Sequence, residues 1–148
     1  MASGVWILTG LSGSGKATAL AALERHGVRC IDNLPIELAA GLRGGEAPVV
    51  AVVDARQGEA LRGFIPPAGV RVVFLDARDE VLVRRLADST RPHPCGAAGI
   101  GPAAVAAERG LLEGMRAAAD VVVDTSALTP EELGRRVGEA VLPDGAAT

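Results

Sequence analysis

Short apolar runs alternate along this chain with longer segments of helical period. Val5-Trp6-Ile7-Leu8, Val28-Arg29-Cys30-Ile31, Val49-Val50-Ala51-Val52-Val53, Val70-Arg71-Val72-Val73-Phe74-Leu75 and Val121-Val122-Val123 are brief and mostly β-branched, so they read as strands. The run from Val49 to Val53 is apolar without a break, which suits a strand covered by helices on both faces. Helices are expected over residues 17–25, where Leu20 and Leu23 share a side, over 36–42 before Gly44-Gly45, over 79–89 and over 103–119. A last helix starts at Thr129-Pro130-Glu131-Glu132, a capping box with proline at its first position. Residues 57–69, with Pro66-Pro67, read as an irregular connection, and 91–102, with three prolines and three glycines, as a surface loop. The alternation predicts an α/β fold: a doubly wound parallel sheet of about five strands with helices on both faces. Right-handed crossovers then leave the strand C-termini along one edge, where ligands bind in such sheets.

The first strand-to-helix connection carries the chemistry. Gly10-Leu11-Ser12-Gly13-Ser14-Gly15-Lys16-Ala17-Thr18 fits the phosphate loop G-x-x-x-x-G-K-[ST] at every position but one. In that pattern backbone N–H groups surround phosphate oxygens, the lysine reaches the β- and γ-phosphates, and the next hydroxyl holds Mg²⁺. The helix N-terminus adds partial positive charge and free donors. Ala17 puts a methyl group in the hydroxyl's place, so the loop predicts nucleotide binding more directly than hydrolysis. Thr18 lies about 100° further round the helix and does not replace that hydroxyl, although it reaches toward an α-phosphate.

Aspartates fall at or just after the other predicted strand ends: Asp32, Asp54, Asp76 and Asp124. Asp76 and Asp124 read as turn or N-cap residues. Asp54 ends the most apolar strand, the place of a carboxylate that holds Mg²⁺ or its water shell opposite a phosphate loop. Asp32 and Asn33 suit either an acceptor pocket or an Asx turn before Pro35. Arg84 and Arg85 suit either phosphate contact or a solvated helix face, and Arg91 is the candidate catalytic arginine of a closing loop. His93, between two prolines, reads as a loop-ordering residue, and His26 beside Gly27 as a helix C-cap.

Composition narrows the classes. One hundred and forty-eight residues, 49% of them hydrophobic, suit one compact domain. A net charge of -3 gives no basic field for nucleic acid. Cys30 and Cys95 are too few for a disulfide scaffold and read as inert thiols. No apolar run approaches the ~20 residues of a membrane span, and no leader pattern is present, so a soluble cytoplasmic protein without membrane contact is expected.

Taken in order, the loop Gly10 to Lys16, then Cys30-Ile31-Asp32-Asn33-Leu34-Pro35, Asp54-Ala55-Arg56, Phe74-Leu75-Asp76-Ala77, Arg91-Pro92-His93-Pro94 and Asp120-Val121-Val122-Val123-Asp124-Thr125-Ser126 resemble the RapZ-type RNase adapter proteins, also called the YvcJ nucleotide-binding family. The resemblance covers nearly the whole chain, and the Asp-Asn-Leu-Pro and Arg-x-His-Pro segments are its distinctive parts. It implies a P-loop kinase-like domain that binds ATP or GTP with weak hydrolysis. It also implies guanine-nucleotide contacts for the segment Asp54-Ala55-Arg56-Gln57. RNA and a ribonuclease enter as partners only through the family's C-terminal domain. The expected layout is a nucleotide-binding domain over residues 1–143 and a disordered tail over 144–148, without that second domain.

Ala17 stands where the family has serine or threonine, Thr90 where it has the first of two arginines, and Gln57 where it has asparagine. The leading expectation is therefore a nucleotide-binding domain with weak or impaired Mg²⁺-dependent NTPase activity. Lys16, Asp54 and Arg91 would be its catalytic residues and Asp54 its metal ligand. A small-molecule or nucleotide kinase using Arg91 and Asp32 on its second substrate, and a non-catalytic P-loop interaction module, remain the alternatives. A dedicated GTPase is disfavoured, since no Asn-Lys-x-Asp segment occurs.

Overall fold

The computed structural model describes residues 4–43, 48–88 and 101–142. Five strands, β1 (Val5–Gly10), β2 (Arg29–Ile31), β3 (Val49–Val52), β4 (Val70–Asp76) and β5 (Val121–Asp124), form one sheet in the order β2-β3-β1-β4-β5. Every pairing is parallel, so the chain must cross over between successive strands. The helices α1 (Lys16–Arg25), α2 (Asp79–Ala87) and α3 (Pro102–Ala117) lie in those crossovers together with two 3₁₀ segments, Ile36–Gly41 and Ala55–Leu61, and α4 (Pro130–Val141) follows the last strand.

Neighbouring residues of a strand point to opposite faces, and the core divides accordingly. Trp6, Leu8, Val50, Val52, Val73, Leu75 and Val123 pack with Ala19 and Leu23 of α1 and with Leu133, Val137 and Val141 of α4. Ile7, Ala51, Val53, Val72 and Phe74 face the other way, onto Val81 and Leu82 of α2 and Val105, Leu112 and Met115 of α3. This is the doubly wound sheet the alternation predicts. It places β1 in the middle, flanked by β3 at register Val5 to Val49 and β4 at register Val5 to Val70. The phosphate-loop sequence therefore leaves the centre of the edge formed by the strand C-termini.

Three elements differ from the expected ones. The segment expected as a helix over 36–42 is a 3₁₀ turn over Ile36–Gly41, too short to repay α-helix nucleation. The connection expected over 57–69 begins as a 3₁₀ segment at Ala55 and breaks at Gly58, whose φ is 62°. Helix α3 starts at Pro102, which supplies its first turn with the φ it needs and lacks only a donor that would be idle there. Arg91, Thr90, His93 and Cys95, and the tail over 144–148, lie outside the described residues.

Candidate functional site

Two glycines shape the loop between β1 and α1. Gly10 has φ 148°, and a Cβ there would stand 2.3 Å from the Leu75 carbonyl oxygen of β4. Gly15 has φ 111° as the residue before α1, and its Cβ would meet Leu133 of α4 at 2.6 Å. The backbone thus passes closer to β4 and α4 than any side chain permits, which explains both letters of the motif. The Leu11 N–H donates to Leu75 O at 3.3 Å, and Ser14 N–H returns to Leu11 O at 3.0 Å, closing the turn. The first N–H groups of α1 have no acceptor within a helix and remain the donors an anion would use. Ala17 and Thr18 are both exposed in that first turn.

Side chains from three remote elements hold the loop in place. Arg85 of α2 donates to Gly13 O at 3.0 Å, to the Thr125 hydroxyl at 3.1 Å and to Thr125 O at 2.8 Å. The Thr125 hydroxyl donates in turn to Ser14 O at 2.6 Å. Arg85 therefore fixes the loop's carbonyl side, while Arg84 is exposed. From α3, the Glu108 carboxylate accepts the Ser12 N–H at 2.9 and 3.0 Å and the Ser12 hydroxyl at 2.8 Å. Glu108 is only 1% exposed. Sequence reading missed it, yet a signal was there. Ala104, Val105, Leu111, Leu112 and Met115 make the buried stripe of α3, and Glu108 falls on that stripe at helical spacing.

Lys16 folds back over the same turn. Its ammonium donates to Gly10 O and Leu11 O, each at 2.9 Å. Burial pushes its pKa down, opposed first by the negative charge of Glu108 and then by that of Asp54. The Ser14 hydroxyl is fully buried and has no hydrogen-bond partner among the described residues.

The neighbouring strand ends form a second cluster with a different character. Asp54 caps the 3₁₀ segment by accepting Arg56 N–H at 3.0 Å, and the Arg56 guanidinium grips both carboxylate oxygens at 2.8 Å. The same guanidinium reaches Asp32 at 2.8 Å. Burial alone would raise the Asp54 pKa, but the hydrogen bonds from Arg56 and the charge of Lys16 outweigh it and hold the carboxyl below its ordinary value. Gln57 donates to Leu34 O at 2.6 Å and accepts Ile36 N–H at 3.0 Å, and it touches Asn33 at 3.3 Å. Asn33 adopts the left-handed conformation, φ 57°, that asparagine tolerates, so Asp-Asn-Leu-Pro is a turn locked by Gln57. Ala55 is buried. The segment that the resemblance assigns to guanine thus spends its polar groups on the protein itself.

Mg²⁺ fits these residues poorly. Asp54 is the carboxylate opposite the loop, and Arg56 already occupies both of its oxygens. Ala17 offers no oxygen, and the described residues contain no cluster of three or more metal-binding side chains. Asp76 and Asp124 serve their turns: Asp76 accepts Ala77 N–H at 2.8 Å and pairs with Arg109 and Arg116, while Asp124 accepts Ser126 N–H at 2.9 Å. A cavity of about 270 Å³ lies between Leu11, Phe74 and the α3 residues Arg109, Leu112, Glu113 and Arg116. Burial holds the Cys30 thiol up at about 11.

A phosphate loop leaving the central strand of a five-stranded parallel sheet defines a P-loop protein of kinase-like fold. A shikimate kinase from Bacteroides thetaiotaomicron superposes with a TM-score of 0.62 over 94% of this chain and 98% of that one, at 18% identity. An unliganded sugar kinase from Janibacter gives 0.60 over 99% of both chains, at 17% identity. The sequence profile of the RapZ-like N-terminal domain matches residues 4–145, and the chain belongs to that family. Nucleotide-binding proteins of Anaeromyxobacter dehalogenans and Myxococcus xanthus are 46% and 41% identical over 96% and 95% of this chain. The chain spans about half the length of these curated relatives, 54% in both cases. Among the described residues no helix is long and apolar enough to cross a membrane.

Proposed function

We propose that this domain binds ATP or GTP in the loop of residues 10–18 and turns it over weakly at most, in the cytoplasm where such nucleotides are held. The observation that carries this reading is the loop itself, shaped by Gly10 and Gly15 against β4 and α4 and ending on the N-terminus of α1. Lys16 releases its two carbonyls for the phosphates, and the first-turn N–H groups complete the cradle. Weak turnover follows from the absent hydroxyl at Ala17 and from the grip of Arg56 on Asp54, which leave Mg²⁺ without its usual protein ligands. Arg91 is carried forward from the sequence as the arginine that approaches the phosphates. Any contact with RNA or a ribonuclease is assigned to the part of the longer relatives beyond this match, since a net charge of -3 gives no overall basic field here.

Calorimetric titration with ATP and with GTP, each with and without Mg²⁺, tests the reading. Micromolar or tighter binding that changes less than about threefold on adding Mg²⁺ is the expected result. No binding of either nucleotide would leave the loop a structural element only. A second reading, phosphoryl transfer to a small-molecule acceptor, is supported by the cavity beside Leu11, on whose wall Arg109 and Arg116 are already paired with Asp76. Lys16-dependent phosphorylation of an added acceptor would support it.

A further inference from the structure

We propose that Arg56 makes this site independent of divalent metal ions: its guanidinium fills, as a permanent cation, the place between Asp54 and Asp32 that a metal ion would otherwise take. The proposal deepens the nucleotide reading and rests on it for the effect on ligand binding, while the exclusion of metal concerns the protein alone. Asp54 follows Val53, whose N–H donates to Leu8 O of β1 at 3.1 Å, and Leu34 N–H donates to Val52 O at 3.1 Å. The segments after β2 and β3 are thereby tied side by side, next to the strand that leads into the phosphate loop. Each contributes one aspartate.

Two carboxylates so placed repel, and a proton, a metal ion or a basic side chain relieves the repulsion. Here a basic side chain is in place. Arg56 Nε donates to Asp54 Oδ1 and Nη2 to Asp54 Oδ2, each at 2.8 Å, in the two-pronged grip that arginine forms with a carboxylate. The same Nη2, which carries two hydrogens, donates to Asp32 Oδ1 at 2.8 Å. One nitrogen therefore joins oxygens of both aspartates, as a metal ion shared between two carboxylates does. Asp54 is only 7% exposed, and its Oδ1 also accepts Arg56 N–H at 3.0 Å, so both of its oxygens are taken. Hydrogen bonding to Asp54, and after it to Asp32, raises the Arg56 pKa despite burial, so the cation does not titrate away. A divalent ion that took Asp54 would leave Arg56 held by Asp32, whose side chain is 62% exposed, and an exposed ion pair stabilises little. The exchange is unfavourable as long as the guanidinium is there.

Calorimetric titration of the whole chain with Mn²⁺ alone, an ion that suits carboxylate and water ligands, tests the exclusion without any nucleotide. Wild type should show no Mn²⁺ binding that depends on Asp54. Arg56→Gln should bind Mn²⁺ at least about tenfold more tightly than wild type, and adding Asp54→Asn to Arg56→Gln should abolish the gain. In Arg56→Gln, Mg²⁺ should then raise nucleotide affinity about tenfold, against a change of less than about threefold in wild type. Mn²⁺ bound as tightly by wild type as by Arg56→Gln overturns the proposal. So does a gain that Asp54→Asn leaves in place, because the ion would then sit elsewhere. Nucleotide binding that stays insensitive to Mg²⁺ in Arg56→Gln also overturns it and spares the nucleotide reading. If no nucleotide binds either protein while the Mn²⁺ gain appears, the exclusion by Arg56 stands and the nucleotide reading alone fails. Should Arg56→Gln not fold, as judged by circular dichroism, wild type decides: Mn²⁺ binding that Asp54→Asn abolishes refutes the proposal, and the absence of such binding upholds it.

Discussion

The two loop clusters at the C-terminal edge of the sheet satisfy their polar groups in opposite ways. The phosphate loop is held from far along the chain: Glu108 is 96 residues from Ser12, Arg85 is 72 from Gly13, and Thr125 is 111 from Ser14. The cluster at the ends of β2 and β3 is closed on itself, with Arg56 spanning Asp32 and Asp54 and Gln57 stitching Asn33, Leu34 and Ile36. A loop steadied by outside groups keeps its shape while Lys16 and the helix donors change partners for a ligand. In the other cluster the polar groups already have partners within the protein, Arg56 bridging two carboxylates. The difference supports the proposal of ligand chemistry at residues 10–18 and shows that residues 32–36 and 54–57 are tied mainly to one another.

Substitutions that tax each cluster separately make this contrast testable. The largest effect is expected from Gly10→Ala, which forces a Cβ against the Leu75 carbonyl at a φ of 148°; a stability loss of about 3 kcal/mol or more should appear in chemical denaturation. A loss under about 1 kcal/mol would mean the loop is free to withdraw from β4. Next comes Asp54→Asn, which leaves Arg56 without its charged partner and should cost about 1–2 kcal/mol at neutral pH. The folded carboxyl titrates below its unfolded value of about 3.9, so the stability it confers is complete well above that pH. It is lost as the pH falls through the folded value. The gap between wild type and Asp54→Asn should therefore close on acidification below about pH 4, and a gap that persists there would remove the ion pair from the explanation.

Thr129→Ala, far from both clusters, removes the side-chain half of the α4 capping box and should cost about 1 kcal/mol while leaving nucleotide affinity unaltered. A change in affinity would connect α4 to the loop beyond the Gly15 contact with Leu133. The smallest effect in energy falls on turnover. Ala17→Ser restores a hydroxyl and should raise Mg²⁺-dependent hydrolysis several-fold, equivalent to about 1 kcal/mol in the barrier. Equal rates in the two proteins would show that the grip of Arg56 on Asp54, and not the missing hydroxyl, limits metal binding.

What was legible in the sequence was what local pattern encodes. The five strands follow from short β-branched runs, the loop from glycines with backbone duties, and the start of α4 from a capping box that the structure reproduces at Thr129 and Glu132. The 3₁₀ segments were less legible because both are short, and Gly58 breaks the second one from within. The closure of Asp54 by Arg56 escaped because a carboxylate after an apolar strand looks the same whether it awaits a metal or caps a turn. Glu108 escaped for a further reason. Its partner Ser12 is near only after β1 and α3 have been packed together, and no spacing within α3 records that.

Those long separations also bear on how the domain comes into being. The first forty residues carry the whole phosphate signature, but its walls come from Leu75, Arg85, Glu108, Thr125 and Leu133. During synthesis the motif would exist long before the site does, and contacts of such sequence separation form late and slowly. A ligand that recognises only the finished loop then acts as a reporter of completed folding. At a hundredfold excess over its Kd it would deepen the native well by about 2.7 kcal/mol.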